Sequence, residues 1–288
     1  MLTILPKNIS TPKLHQYLLS SVAPRPIAFA STINEKGSPN LSPFSFFNVF
    51  SANPPILIFS PARRVRDNTA KHTLENILKT KEVVINVVNY NLVQQTSLAS
   101  VEYPEGTNEF IKAGLTMLKS DLVKPFRVAE SPIQFECKVN EVIALGKEGG
   151  AGNLVIAEVL CMHIHDSVLN AENEIDQVAL DLVARAGANE YCRAKEGFFT
   201  VPKPVSKLGI GIDNLPGDVR MSEWLSGNDL GKLGNTENLP NRHDVDKFLK
   251  ENPQFKGLKT KEKHIFAKEF LEKNDIESAL KVLLINEN

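Results

Sequence analysis

Short apolar runs alternate with polar, proline- or glycine-marked breaks over the N-terminal two-thirds of the chain. Leu14, Tyr17 and Leu18 repeat at helical spacing on a segment that ends near Val22. Pro24-Arg25-Pro26 then forbids helix and favours extended chain, so Ile27 to Thr32 reads as a strand. Asn34 to Pro39 has the composition of a hairpin turn. Asn40 to Asn48 interleaves polar and aromatic residues around Pro43 and reads as loop-like. Ile56 to Ser60 is a short, continuously apolar strand of the buried kind. In the helix that follows, Ala70, Leu74, Ile77 and Leu78 share one face, with Asp67 or Thr73 as the cap. Val83 to Val88 is rich in β-branched residues and predicts another strand. Residues 91–118 read as short helices and loops. Ile133, Phe135, Cys137 and Val139 alternate with Gln134, Glu136 and Lys138, the pattern of a half-buried strand. The glycines from Gly146 to Gly152 mark a hairpin loop, and Leu154 to His165 is the returning strand.

Hairpin-linked strands of this kind predict an antiparallel sheet or barrel, not βαβ units. The character changes past Val201-Pro202-Lys203-Pro204. Residues 205–242 show no convincing period, and helical patterns then cover Val245–Lys250, Lys261–Lys273 and Ile276–Ile285. The expected architecture is mainly β with α: one domain over residues 1–203, then a C-terminal loop and helical extension over 204–288. The apolar helical faces of that extension (Phe248, Leu249, Phe266, Phe270, Leu271, Leu280 and Leu283) need covering by the barrel, by one another or by a partner.

Composition narrows the function classes. Of 288 residues, 42% are hydrophobic and the net charge is −1, so no overall field draws nucleic acid or anionic lipid. No nucleic-acid partner is expected. No apolar stretch approaches the roughly 20 residues of a membrane helix, and Met1 to Ser10 lacks the basic-then-apolar pattern of a signal peptide. No membrane association is expected either. Cys137, Cys161 and Cys192 are odd in number and match no zinc spacing, which suits a reduced, cytoplasmic protein.

Candidate chemistry is sparse. His163 and His165 share a strand face beside Cys161, a geometry that can hold a metal. An acidic ligand and a further histidine at suitable spacing are missing, so a structural pair is the better reading and no metal is expected. Gly209-Ile210-Gly211 lacks the third glycine and the βαβ setting of a dinucleotide fingerprint. Cys192 beside Arg193 reads as an ordinary thiol. The strongest constellation is distributed. Arg63, Arg64, Arg66, Lys71 and Thr73 gather at a helix start, where free N–H groups and the dipole favour an anion. Ser42, Ser45 and Asn48 lie in the aromatic-rich segment, and Phe44, Phe46 and Phe47 could wall a slot for a flat ring. One anion site beside an aromatic slot suits a mononucleotide-like cofactor. The same charges also suit a solvated helix face.

Ala23-Pro24-Arg25-Pro26-Ile27-Ala28, Ser42-Pro43-Phe44-Ser45-Phe46-Phe47-Asn48 and Lys71-His72-Thr73-Leu74-Glu75-Asn76-Ile77 resemble, in order and spacing, the flavin reductase-like proteins with an FMN-binding split β-barrel. Glu109 to Leu115, Ala129 to Pro132, Gly152 to Val159 and Ala184 to Tyr191 continue the likeness, which spans roughly residues 10–203. The resemblance implies a homodimer with FMN near the subunit interface, and reduction by NAD(P)H for a small-molecule or protein electron acceptor. The alternative it leaves is an electron carrier of the flavoredoxin type. It implies that Ser45 and Asn48 lie along the flavin, that Lys71 and Thr73 hold the phosphate, and that Ser60 and Arg63 are nearby. Arg25, Arg185 and Tyr191 are implied neighbours, and no side-chain catalyst is implied. Three features depart from the family pattern: His72 in place of a common aspartate, Ala186-Gly187-Ala188 in place of adjacent glycines, and the extension after residue 203.

Overall fold

The structure, a computed structural model, describes residues 1–202 and 208–286. It divides into two compact units, Met1–Phe198 and Phe199–Asn288. The boundary read between 203 and 204 lies outside the described residues. Among the described residues, no helix is long and apolar enough to cross a membrane.

The first unit contains β1 (Ala28–Ile33), β2 (Pro39–Phe44), β3 (Phe47–Ala52), β4 (Pro55–Phe59), β5 (Glu82–Val87), β6 (Met117–Leu118), β7 (Arg127–Val128), β8 (Ile133–Ala144), β9 (Asn153–Ile164), β10 (Val183–Arg185) and β11 (Tyr191–Arg193). Its helices are α1 (Thr11–Ser21), α2 (His72–Thr80), α3 (Val93–Leu98), α4 (Glu109–Ala113) and α5 (Gln177–Leu180). Seven strands form one antiparallel sheet in the order β2-β1-β5-β8-β9-β4-β3. Its two edge strands are consecutive in the chain, joined only by Ser45 and Phe46. A twisted sheet whose edges are tied at one corner has to curl round. The result is a barrel split along its β2–β3 seam, the class that the hairpin pattern predicts.

The inside of the barrel is filled by Ala28, Ala30, Ile85, Cys137, Val155 and Ala157, with Phe44, Leu57 and Phe59. A second core lies outside the sheet, where Phe29 and Leu41 pack with Leu92 and Phe110. β1 is therefore buried on both faces, which explains its unbroken run of small and apolar residues.

Three local expectations are corrected. Asn40 to Asn48 is not a loop: it supplies the end of β2 and the start of β3. Pro43 fits because β2 is an edge strand, where a missing N–H costs the ladder little. Glu136 and Gln134 do not face water although they alternate with apolar residues; both are buried. Neither Asp67 nor Thr73 caps α2, whose N-cap is Lys71 with no side-chain cap bond.

The second unit holds α6 (Gly217–Arg220), α7 (Gly227–Gly234), α8 (Arg242–Glu251), α9 (Thr260–Glu272) and α10 (Ile276–Leu283). α7 escapes a periodicity reading because three of its residues are glycine. A capping box between Ser226 and Asp229 starts it. Gly234 is needed for close approach: a Cβ there would stand 2.9 Å from the backbone of Gly211. The apolar faces that sought a cover find it in one another. Leu271, Leu280 and Leu283 pack with Leu215 and Leu233, and Phe248, Leu249, Phe266 and Phe270 gather round Phe255.

Candidate functional site

The loop from Pro61 to Ala70 carries three arginines and ends on Lys71. The β8–β9 hairpin loop holds it in place: Arg63 N–H donates to Ala151 O (2.8 Å) and Gly150 N–H to Arg63 O (3.0 Å). Gly149 permits that approach, since a Cβ there would lie 3.0 Å from the carbonyl oxygens of Arg64 and Val65. A cleft of about 400 Å³ opens between this loop and α1, lined by Thr11, His15, Arg63, Arg64, Lys71 and Glu102 among others. A hollow of only about 30 Å³, with Ser42, His72, Thr73 and Glu109 in its walls, adjoins it. Arg64, Lys71 and Glu102 line both, and so form the partition between them.

The partition is electrostatically loaded. Lys71 Nζ stands 5.8 Å above the Phe44 ring centroid. Burial, then the nearby Arg64 guanidinium, push the Lys71 pKa below its ordinary value, with Glu102 opposing. No side chain caps α2; Leu74 N–H turns back to Lys71 O (2.9 Å), and the N–H groups of His72 and Thr73 are left for water or an anion. Cationic side chain, uncapped helix start and open cleft together suit one phosphate group. Glu102 is held below the usual carboxylate range, first by the hydrogen bond from Arg64. On the other side of the hollow, Glu109 is buried and accepts from Leu41 N–H (3.1 Å). Burial pushes its carboxyl up, against that bond.

Several residues implied by the family likeness already carry structural bonds. Thr73 is buried, and its hydroxyl accepts from Asn40 Nδ2 (2.9 Å). Ser60 Oγ accepts from Asn153 N–H (3.0 Å) and ties the end of β4 to the start of β9. Arg63 donates to Asn68 Oδ1 (2.6 Å) and to the Asn68 carbonyl. Arg25 is buried and fixes the C-terminal end of α1 by donating to the carbonyls of Leu19 and Val22; it also reaches Ala186 O (2.9 Å). Its Nε reaches Ser45 Oγ (3.4 Å) at the β2–β3 corner. Asn48, next along β3, is exposed. Arg185 pairs backbone to backbone with Arg25, and its guanidinium lies 4.6 Å from the Tyr191 ring centroid. Both line a separate cleft with Tyr90 and Arg193.

The aromatic slot does not form within the chain. Phe44 belongs to the barrel core against Phe59 (5.4 Å), Phe47 is partly buried against that core, and Phe46 points its ring at His15 (6.2 Å). Phe44 and Phe47 turn into the core at the ends of β2 and β3, and Phe46, in the connection between the strands, is left exposed. The histidine pair also separates. His163 bonds Glu136 Oε1 (2.8 Å), whereas His165 lies past the end of β9 and accepts from Ser167 N–H (3.1 Å). Asp121 and Glu136, unlinked to His163 in sequence, complete a cluster whose ligand atoms lie within 4.8 Å. Glu136 spends its oxygens on the N–H groups of Asp121 (2.8 Å) and Leu122 (2.6 Å), which makes the cluster a brace for the chain. Glu102, Glu109 and the α1 residues at the cleft were missed in the sequence, where nothing local marks them.

Residues 20–179 match the flavin reductase like domain. An uncharacterised protein of Halalkalibacterium halodurans is 36% identical over 195 residues, which are 67% of this chain and 92% of that protein. Nitrilotriacetate monooxygenase component B from Bacillus cereus superposes with a TM-score of 0.65 at 27% identity, over 69% of this chain and 98% of that one. A split barrel domain protein from Shewanella frigidimarina gives a TM-score of 0.59 at 25% identity, over 72% and 100% of the two chains.

Proposed function

The chain belongs to the flavin reductase like family, and from that premise we propose that its first unit binds FMN and passes hydride to it from NAD(P)H. A small-molecule or protein acceptor then takes the electrons. The observation that carries the reading is the cationic, uncapped helix start at Lys71, open to a cleft of about 400 Å³. It suits a phosphomonoester, the one phosphate that distinguishes FMN from riboflavin.

Bound flavin supplies the hydride acceptor, so the protein's part is binding, orientation and electrostatics, without a side-chain acid or base. Lys71, Arg64 and the N–H groups of His72 and Thr73 hold the phosphate. The hydroxyls of Thr73 and Ser60 already accept hydrogen bonds but each keeps a proton to donate. Ser45 and Asn48, at the β2–β3 corner, are offered to the ring. Arg25 positions that corner from behind. Arg63 shapes the loop through Asn68 and stands beside the phosphate site.

A homodimer is part of the proposal. Val49 and Phe50 on edge strand β3 are exposed, as are Leu160 and Met162 on β9. Exposed apolar residues beside an unpaired strand edge suit burial by a second copy. Light scattering of FMN-loaded protein that returns a single-chain mass contradicts this part. A reduced, cytoplasmic setting suits the three free cysteines.

Anaerobic stopped-flow mixing of FMN-loaded protein with NADH, and separately with NADPH, tests the reaction. Loss of flavin absorbance within minutes with either donor is the expected result. Absence of bleaching with both donors removes the reductase reading and leaves an electron carrier.

A further inference from the structure

Glu102 has the wrong sign for a phosphate site, yet it stands in the middle of one. Its Oε1 lies 3.0 Å from Arg64 Nε and its Oε2 3.3 Å from Arg66 Nη2. A carboxylate and a phosphate make the same demand on guanidinium donors, two oxygens facing a planar fork. Glu102 takes up Arg64 Nε, and its negative charge repels a phosphate brought to the partition that Arg64 and Glu102 share with Lys71.

We propose that Glu102 is an internal competitor of the flavin phosphate: a phosphomonoester enters by taking Arg64 from Glu102, and Glu102 returning to Arg64 promotes release. The inference rests on the reading of the phosphate at Lys71. Two features fit a displaceable carboxylate on a fixed cation. The Arg64 guanidinium is anchored from the far side by donating to Thr69 Oγ1 (2.9 Å) and to the Ala70 carbonyl, so it keeps its place when Glu102 leaves. Glu102 is half exposed and lies between the end of α3 and the start of α4, outside any helix or strand. Turning it outward buries no charge. The consequence is a flavin held by fewer net interactions than its contact list suggests, and exchanged faster.

Glu102→Gln in the full-length protein tests this, with FMN and riboflavin as the two probes. Exposed ion pairs of this kind are each worth up to about 1 kcal/mol, so freeing Arg64 tightens FMN by up to about fivefold, with slower dissociation. Riboflavin, which has no phosphate, keeps its affinity. Glu102→Ala likewise tightens FMN and leaves riboflavin unchanged. If FMN is preferred over riboflavin by the native protein but Glu102→Gln leaves FMN unchanged or weaker, the competitor falls and the phosphate reading stands. Equal tightening of riboflavin also overturns the competitor, because the effect is then on the fold. No native preference for FMN over riboflavin overturns the phosphate reading and the competitor together.

Discussion

Replacing Lys71 with alanine weakens FMN binding about tenfold to a hundredfold, while riboflavin binding moves far less. The ammonium is partly withdrawn from water, beside the Phe44 ring and at the uncapped start of α2. A hydrogen bond between charged partners in that setting is worth roughly 1.5–3 kcal/mol, the basis of the predicted loss. Substitutions at Thr73 or Arg63 act differently, because both residues are engaged with Asn40 and Asn68 and their loss disturbs the site's frame as well as its contacts. Titrating each flavin by fluorescence quenching of the variant checks the prediction. An equal loss for both flavins contradicts it, since riboflavin has no phosphate for Lys71 to hold.

The largest stability effect is expected at Glu136. Its carboxylate is fully buried and accepts from the N–H groups of Asp121 and Leu122, with the His163 ring at 2.8 Å and Arg127 Nε at 3.7 Å. Glu136→Ala leaves three backbone donors, of Asp121, Leu122 and Val123, unpartnered and a guanidinium without its counter-charge, a loss of about 3–5 kcal/mol by analogy with broken buried pairs. Urea unfolding followed by circular dichroism measures it, and an unchanged midpoint contradicts it. The same bonds set a pH dependence. Burial alone would raise the Glu136 pKa, but the Asp121 and Leu122 N–H groups and the His163 ring outweigh it and hold the carboxyl below its ordinary 4.5. A depressed carboxylate contributes stability above its unfolded pKa and loses it as pH falls through the folded one. Acid therefore weakens the native protein more than Glu136→Ala over the range below 4.5.

Several of the strands and the helices of the extension are legible in the sequence because they rest on local patterns: the alternation of Ile133 to Val139, the continuous apolar run at Ile56, the helical spacing from Val245 onward. The β2–β3 corner is not, because Pro43 signals a break unless the strand is known to lie at an edge, and that is a property of the whole sheet. The cationic helix start at Lys71 is legible as composition. What surrounds it is tertiary. Glu102 reaches Arg64 across 38 positions, and Glu136 meets His163 across 27, distances that no window of sequence registers. Thr73 and Ser60 show the converse: residue types that suit a ligand are bonded to Asn40 and Asn153 in the frame of the barrel.

Titration of flavin-free protein with FMN and with FAD, followed by absorbance, tests the central claim most directly. One phosphomonoester site at Lys71 predicts saturable FMN binding that is clearly tighter than FAD binding. FAD binding as tight as FMN, or tighter, contradicts it.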